Sequence, residues 1–167
     1  NLTELDLGLN SITSEGAGWL AKTRRLKNLT SLHLGHNRIR GAGASFLASS
    51  RRLTNLTTLD LSNNDIRFDG ARILANSPRL ANLTTLQLSH NAIGNEGAKA
   101  LASSPHLTHL IERALTATHI RDAAAKPLAT SPFLKSLTTL HVFGNPIGAQ
   151  HLRALKASFH HVPTLFP

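Results

Sequence analysis

The sequence predicts a parallel α/β solenoid, a curved stack of strand–helix coils with the strands on the inside of the arc and the helices on the outside. Three observations carry this. Six similar segments open at Asn1, Asn28, Asn55, Asn82, His109 and Ser136, so each begins at one constant interval after the last. Leucines alternate at the start of each segment, and the apolar spacing turns helical in its second half. One strand–helix unit cannot bury its own apolar face, whereas identical neighbours stacked in parallel can.

Stacking the six segments gives NLTxLxLxxNxI followed by xxxGAxxLAxSxxLx. Leu29, Leu32 and Leu34 form the inward side of a short strand, as do Leu56, Leu59 and Leu61 in the next unit. Asn10, Asn37, Asn64, Asn91 and Asn145 follow the strands. A side-chain amide there carries both a donor and an acceptor, so it can bridge backbone groups of successive coils as a buried ladder. Ile12, Ile39, Ile66, Ile93, Ile120 and Ile147 fill the core beneath it. Ala17, Leu20 and Ala21, with Ala44, Leu47 and Ala48, then sit at helical spacing, and Ser14, Asp69 and Asn95 are the expected helix caps. Each helix has room for roughly two to three turns.

Composition narrows the function classes. The 167 residues are 41% hydrophobic with only 4% aromatics, and they contain no Cys and no Met. Absent cysteine removes disulfides, thiolate metal sites and a cysteine nucleophile, and is compatible with a reducing compartment. No segment is apolar enough to cross a bilayer as a helix, so no membrane partner is expected. The chain opens inside a repeat, with no leader and no cap for its first strand, and so reads as a piece of a longer polypeptide. That bare strand edge offers a route to a homodimer.

Two segments break the pattern. In the fifth, Arg113 stands where the others have Leu5, Leu32, Leu59, Leu86 and Leu140, Thr118 replaces the ladder asparagine, and Ala124 replaces Gly16, Gly43, Gly70 and Gly97. An unpaired arginine in an apolar core is costly. The expectation is a locally distorted strand with Arg113 reaching solvent, or pairing with Glu112. An irregularity that bends the solenoid or opens a site, and an error in the sequence, are the alternatives. The last segment leaves the repeat after about residue 152, and Leu155, Phe159, Val162, Leu165 and Phe166 are expected to cover that end of the core.

The pattern LxxLxLxxNxI, with GAxxLA in a helical second half, resembles the leucine-rich-repeat superfamily and its ribonuclease-inhibitor-like class. The length of the unit and the joints ANSPRLANLTTL and ASSPHLTHL look most like bacterial members. The resemblance spans the whole length and implies one right-handed leucine-rich-repeat horseshoe over residues 1–167. It also implies a recognition module for a protein partner, of the kind found in secreted effectors whose activity lies in another domain. A cytoplasmic location and secretion as an effector both stay open.

Residues between the inward leucines should project from the concave sheet. One such column reads Asp6, His33, Asp60, Gln87, Ala114, His141, and the column just beyond each strand reads Leu9, His36, Asn63, His90, Ala117, Gly144. Adjacent strands lie about 4.8 Å apart, which places His33 between Asp6 and Asp60 and would favour its protonated form. Asp6, His33, His36, Asp60, Asn63, Gln87, His90 and His141 are therefore the candidate binding surface. A metal needs converging ligands, whereas a sheet spreads its side chains in parallel, so no metal and no cofactor is expected. Catalysis is not expected either. No nucleophile elbow, phosphate loop or HExxH occurs, and the glycines recur as repeat elements rather than as GxGxxG.

The net charge is +9. Lys22, Arg24, Arg25, Lys27, Arg51, Arg52 and Arg79 gather at the joints after the first three helices and predict a basic ridge on one flank. Nucleic acid is not the expected partner: Tyr is absent, and Trp19 and most phenylalanines occupy apparent helix-core positions, leaving no stacking platform. The NLT sequons at Asn1, Asn28, Asn55 and Asn82 follow from the repeat itself and are read as unmodified.

Overall fold

The computed structural model describes residues 2–159. Among them six short strands form a single parallel sheet in the order β1 to β6: β1 Glu4–Asp6, β2 Ser31–His33, β3 Thr58–Asp60, β4 Thr85–Gln87, β5 Glu112–Ala114 and β6 Thr139–His141. Each strand is followed by a helix: α1 Ser14–Lys22, α2 Arg40–Ala48, α3 Phe68–Ala75, α4 Gly94–Ala102, α5 Asp122–Ala129 and α6 Ala149–Ser158. Every strand residue pairs with its equivalent one repeat on, from Leu5 with Leu32 to Arg113 with Leu140. The arrangement is a horseshoe of six strand–helix units, sheet inside and helices outside.

Polar ladders tie the coils together. The backbone N–H groups of Ile12, Ile39, Ile66 and Ile120 donate to Oδ1 of Asn37, Asn64, Asn91 and Asn145 in the following coil, at 2.8–3.1 Å. Those asparagines donate in turn to the carbonyls of Leu7, Leu34, Leu61 and Leu115, at 2.7–2.9 Å. Each amide thus satisfies a donor and an acceptor that the turn after the strand would leave orphaned inside the core. Asn10 donates only within its own coil, to Leu7 and Gly8.

Three further columns bridge coils. The hydroxyls of Ser50, Ser77 and Ser104 donate to the carbonyls of Ala21, Ala48 and Ala75, and Ser131 makes the same contact with Ala102. These serines also accept the N–H two residues on, which combines local capping with cross-coil bonding. Thr30, Thr57 and Thr84 donate to the carbonyls of their equivalents one coil back, Thr3, Thr30 and Thr57. Asn55 and Asn82 of the sequons donate to Lys27 and Thr54.

The glycines of GAxxLA have a steric cause. A Cβ on Gly16, Gly43 or Gly70 would lie 2.6–2.8 Å from the Cγ2 of Ile12, Ile39 or Ile66. The glycine lets the first helical turn settle onto the isoleucine that closes the core.

The structure corrects several expectations. The helix caps do not come from Ser14, Asp69 or Asn95: the N-cap positions of those helices are Thr13, Arg67 and Ile93, without a side-chain cap. Ser14 instead donates to Ile39 O and Asn95 accepts from Arg121 N, both in the next coil, while Asp69 pairs with Arg72. The fifth strand is not distorted, and Arg113 does not reach solvent. It is 0% exposed, pairs in register with Leu86 and Leu140, and none of its guanidinium nitrogens has a hydrogen-bond partner among the described residues. Burial pushes its pKa down to about 9. Neither does Glu112 pair with it, because successive residues of a strand face opposite sides of the sheet. Leu155 and Phe159 are buried at the C-terminal end of the core. Val162, Leu165 and Phe166 lie outside the described residues.

Candidate protein-recognition face

The concave surface is built by the strict register of the sheet. Because paired residues always hold the same place in the repeat, Asp6, His33, Asp60, Gln87, Ala114 and His141 stand side by side as one row across six strands. Alternation within the strands sends Leu32, Leu59 and Leu86 into the core at 0% exposure and this row outward.

The acids of that row are occupied differently from the expectation. Asp6 Oδ1 accepts the N–H of Gly8, and Asp60 Oδ1 that of Ser62, both at 2.8 Å. Each carboxylate thereby closes the turn after its own strand, a local bond that a short side chain reaches more readily than a neighbour's imidazole. His33 is adjacent to both in register, but its ring turns to its own strand. Nε2 lies 2.9 Å from Ser31 Oγ and 3.9 Å from Glu4 Oε1. The cluster is therefore Glu4, Ser31 and His33 rather than a histidine between two aspartates.

The next row, Leu9, His36, Asn63, His90, Ala117 and Gly144, adopts a left-handed backbone in all six coils, with φ between 51° and 68°. His36 and Asn63 are brought together: Asn63 Nδ2 donates to His36 Nδ1 at 2.9 Å. With Nδ1 accepting, the neutral ring carries its proton on Nε2, leaving that N–H as the ring's donor. His90 is exposed, Gln87 and His141 are half-buried, and among the described residues no bond joins these three to the His36–Asn63 pair.

Two surface residues on this side were missed by the sequence reading. Phe143 is 63% exposed at the outward position occupied elsewhere by Gly8, Gly35, Ser62, Ser89 and Thr116. Ile111 is 46% exposed in the column of ladder threonines. A phenylalanine in a column of Gly, Ser and Thr was the available signal. The aromatic residues elsewhere also need correction: Trp19, Phe46 and Phe68 are 77%, 42% and 50% exposed, so they are not helix-core residues. Trp19 and Phe46 hold the same place in successive repeats and line one outer stripe.

Comparison with known families agrees with this geometry. A model described as leucine-rich repeats in two copies matches residues 27–76, and one for a single leucine-rich repeat matches residues 1–21, 79–102 and 133–156. Together they take in well over half of the sequence. The chain belongs to the leucine-rich-repeat superfamily. The matched stretches leave out residues 103–132, the coil that carries Arg113 and Thr118. Among solved structures, the chain is similar to an internalin (inlF) from Listeria monocytogenes, at a TM-score of 0.67 and 22% identity over 99% of this chain and 48% of that one. It is also similar to the structure of leiomodin-1 actin-binding site 2, at a TM-score of 0.54 and 15% identity over 95% of this chain and 79% of that one. The chain thus spans about half the length of the internalin structure. No curated protein matches it. These likenesses establish the fold.

Proposed function

We propose that this leucine-rich-repeat array is a recognition scaffold that holds a protein partner on its concave face. The observation that carries the reading is the pair of outward rows, kept in register across six strands and bearing His33, His36, His90 and His141 beside an exposed Phe143. An aromatic anchor flanked by polar groups is the composition of a binding hot spot. Superfamily membership supports a binding rather than a catalytic role, since arrays of this architecture generally serve protein–protein contact. The structural neighbour in a Listeria internalin supports a bacterial setting, in the cytoplasm or as a secreted effector whose further domains this chain serves as the recognition part.

Asp6 and Asp60 close their own turns, so reversing their charge would disturb the fold together with any contact. The test instead places a photo-cross-linking residue at Gln87 on the concave sheet and, as a control, at Lys99 on the outer helix α4. Discrete adducts are expected from Gln87, and they should fade with His36→Ala or Phe143→Ser. Adducts that arise only from Lys99 would defeat the assignment.

A second reading is self-association through exposed apolar side chains of the first coil, where Leu9 and Trp19 are 81% and 77% exposed. A molar mass that doubles across a concentration series in size-exclusion chromatography, and stays monomeric in Trp19→Glu, is the expected outcome of that reading.

A further inference from the structure

The basic ridge lies beside two grooves on the outer face. The groove between α1 and α2 is floored by Gly18, Ala21 and Phe46 and rimmed by Lys22, Arg51 and Arg52. The next, between α2 and α3, is floored by Ala48 and Ile73 and rimmed by Arg51, Arg72 and Arg79. Arg51 stands between the two and belongs to both. Phe46 and Ile73 hold the same place in successive repeats, as do Arg52 and Arg79, so the second groove repeats the first one coil further on.

Apart from Arg72, which pairs with Asp69, the charge on this flank is uncompensated among the described residues. Among the described residues, the ion pairs engage Arg67, Arg72, Lys99, His33 and His151, and none includes Lys22, Arg51, Arg52 or Arg79. Arg51 and Arg79 are also solvent-exposed, so their guanidinium groups are available for bidentate pairing with carboxylates. Apolar floors with arginines between them call for a ligand that alternates apolar and anionic groups on the same spacing.

We propose that these grooves form a second interaction surface, which takes an extended acidic segment of a partner protein with one apolar side chain in each groove and carboxylates on the arginines at the rims. Packed helices lie about 8–10 Å apart. An extended chain in the polyproline II conformation advances about 3.1 Å per residue and returns a side chain to the same face every third residue. The fitting segment therefore repeats an apolar residue at about every third position, with acids between. Among the described residues Phe46 is the one aromatic side chain that lines either groove, so the grooves present no run of stacking platforms, which favours side-chain insertion over base stacking.

The test is fluorescence polarisation with a labelled peptide of four Leu-Asp-Glu triplets, titrated with the full chain. Saturable binding is expected, weakened about tenfold or more by Arg51→Glu and by Arg79→Glu, charge reversals at exposed rims that remove the pairing. Far-UV circular dichroism of both variants should match the parent. Replacing the leucines of the peptide by serine should abolish binding, and His36→Ala on the opposite face should leave it unchanged. The proposal is overturned by equal binding of the serine peptide, by insensitivity to Arg51→Glu, by loss in His36→Ala, or by tighter binding of an oligothymidylate of matching length or of phosphatidylserine vesicles.

Discussion

Arg113 sets the energetics at the residue scale. A leucine column that runs through the other coils is interrupted by a buried cation with no partner, which is the most expensive kind of core substitution. Arg113→Leu should therefore raise stability by about 2–4 kcal/mol in urea melts at neutral pH. The sign of the pH dependence follows from the depressed value. Below about 9 the guanidinium is charged in both folded and unfolded chains, and the full penalty applies. As pH rises through 9 toward the ordinary arginine range, the folded chain sheds the proton first, the unfolded chain binds more protons, and stability is regained. The gap between parent and Arg113→Leu should accordingly narrow as pH is raised through about 9; a gap independent of pH would show that the cation escapes the core.

Left-handed turns raise a related residue-scale point. Leu9, His36, His90 and Ala117 hold a positive φ that is costly for a residue with a Cβ. His90→Gly is expected to stabilise the fold by about 0.5–1 kcal/mol, read as a higher melting temperature. Where the concave reading holds, the same change should weaken Gln87 cross-linking, because the turn displays the side chain that recognition needs.

The helix–strand joint is governed by the space above the isoleucine. Gly43 lies on α2 where a Cβ would meet Ile39 Cγ2 at 2.6 Å, Ala17 Cβ at 3.2 Å and the Ser14 backbone at 3.2 Å. Gly41, two residues earlier, would meet nothing closer than 3.6 Å. Both positions gain helix propensity from alanine, so the crowding alone separates them. Gly41→Ala should raise stability by about 0.5–1 kcal/mol, while Gly43→Ala should lower it by about 1–2 kcal/mol. Thermal melts of the two single variants measure the contrast, and a loss in both would point to strain at the start of α2 instead.

The asparagine ladder also belongs to this scale. Thr118 donates to Leu115 in its own coil and has no amide to reach back to the fourth. The N–H of Ile93, which an asparagine oxygen would have accepted, turns instead to Asn91 O of its own coil. One side chain thus changes how a neighbouring turn is satisfied.

For the whole molecule, a stacked array is as cooperative as its weakest junction. The weakening features cluster in the fifth coil: Arg113 in the core, Thr118 out of the ladder, Ile111 out of the threonine column and Pro127 within α5. Native-state hydrogen exchange should therefore show the amides of β5 and β6 opening at lower free energy than those of β2, β3 and β4. Arg113→Leu together with Thr118→Asn should bring the two sets together. Uniform protection in the parent chain would mean that the strand register alone holds the array as one unit.

The sequence by itself determined the repeat, the six strands and helices, the inward leucines, the ladder positions and the two outward rows, though not the exposed Phe143 and Ile111 beside them. All of these follow from a period, and in a solenoid the period in sequence is the translation in space. Tertiary structure decided what depends on side-chain reach between coils. Asp6 and Asp60 bend to their own turns and leave His33 to Ser31 and Glu4, because the nearest donor wins over a neighbour one strand away. Ser14 and Asn95 bond forward to the next coil rather than cap their helices. Arg113 stays inside because the parallel register on both sides fixes its direction, and backbone pairing across β4, β5 and β6 outweighs the preference of one side chain for water.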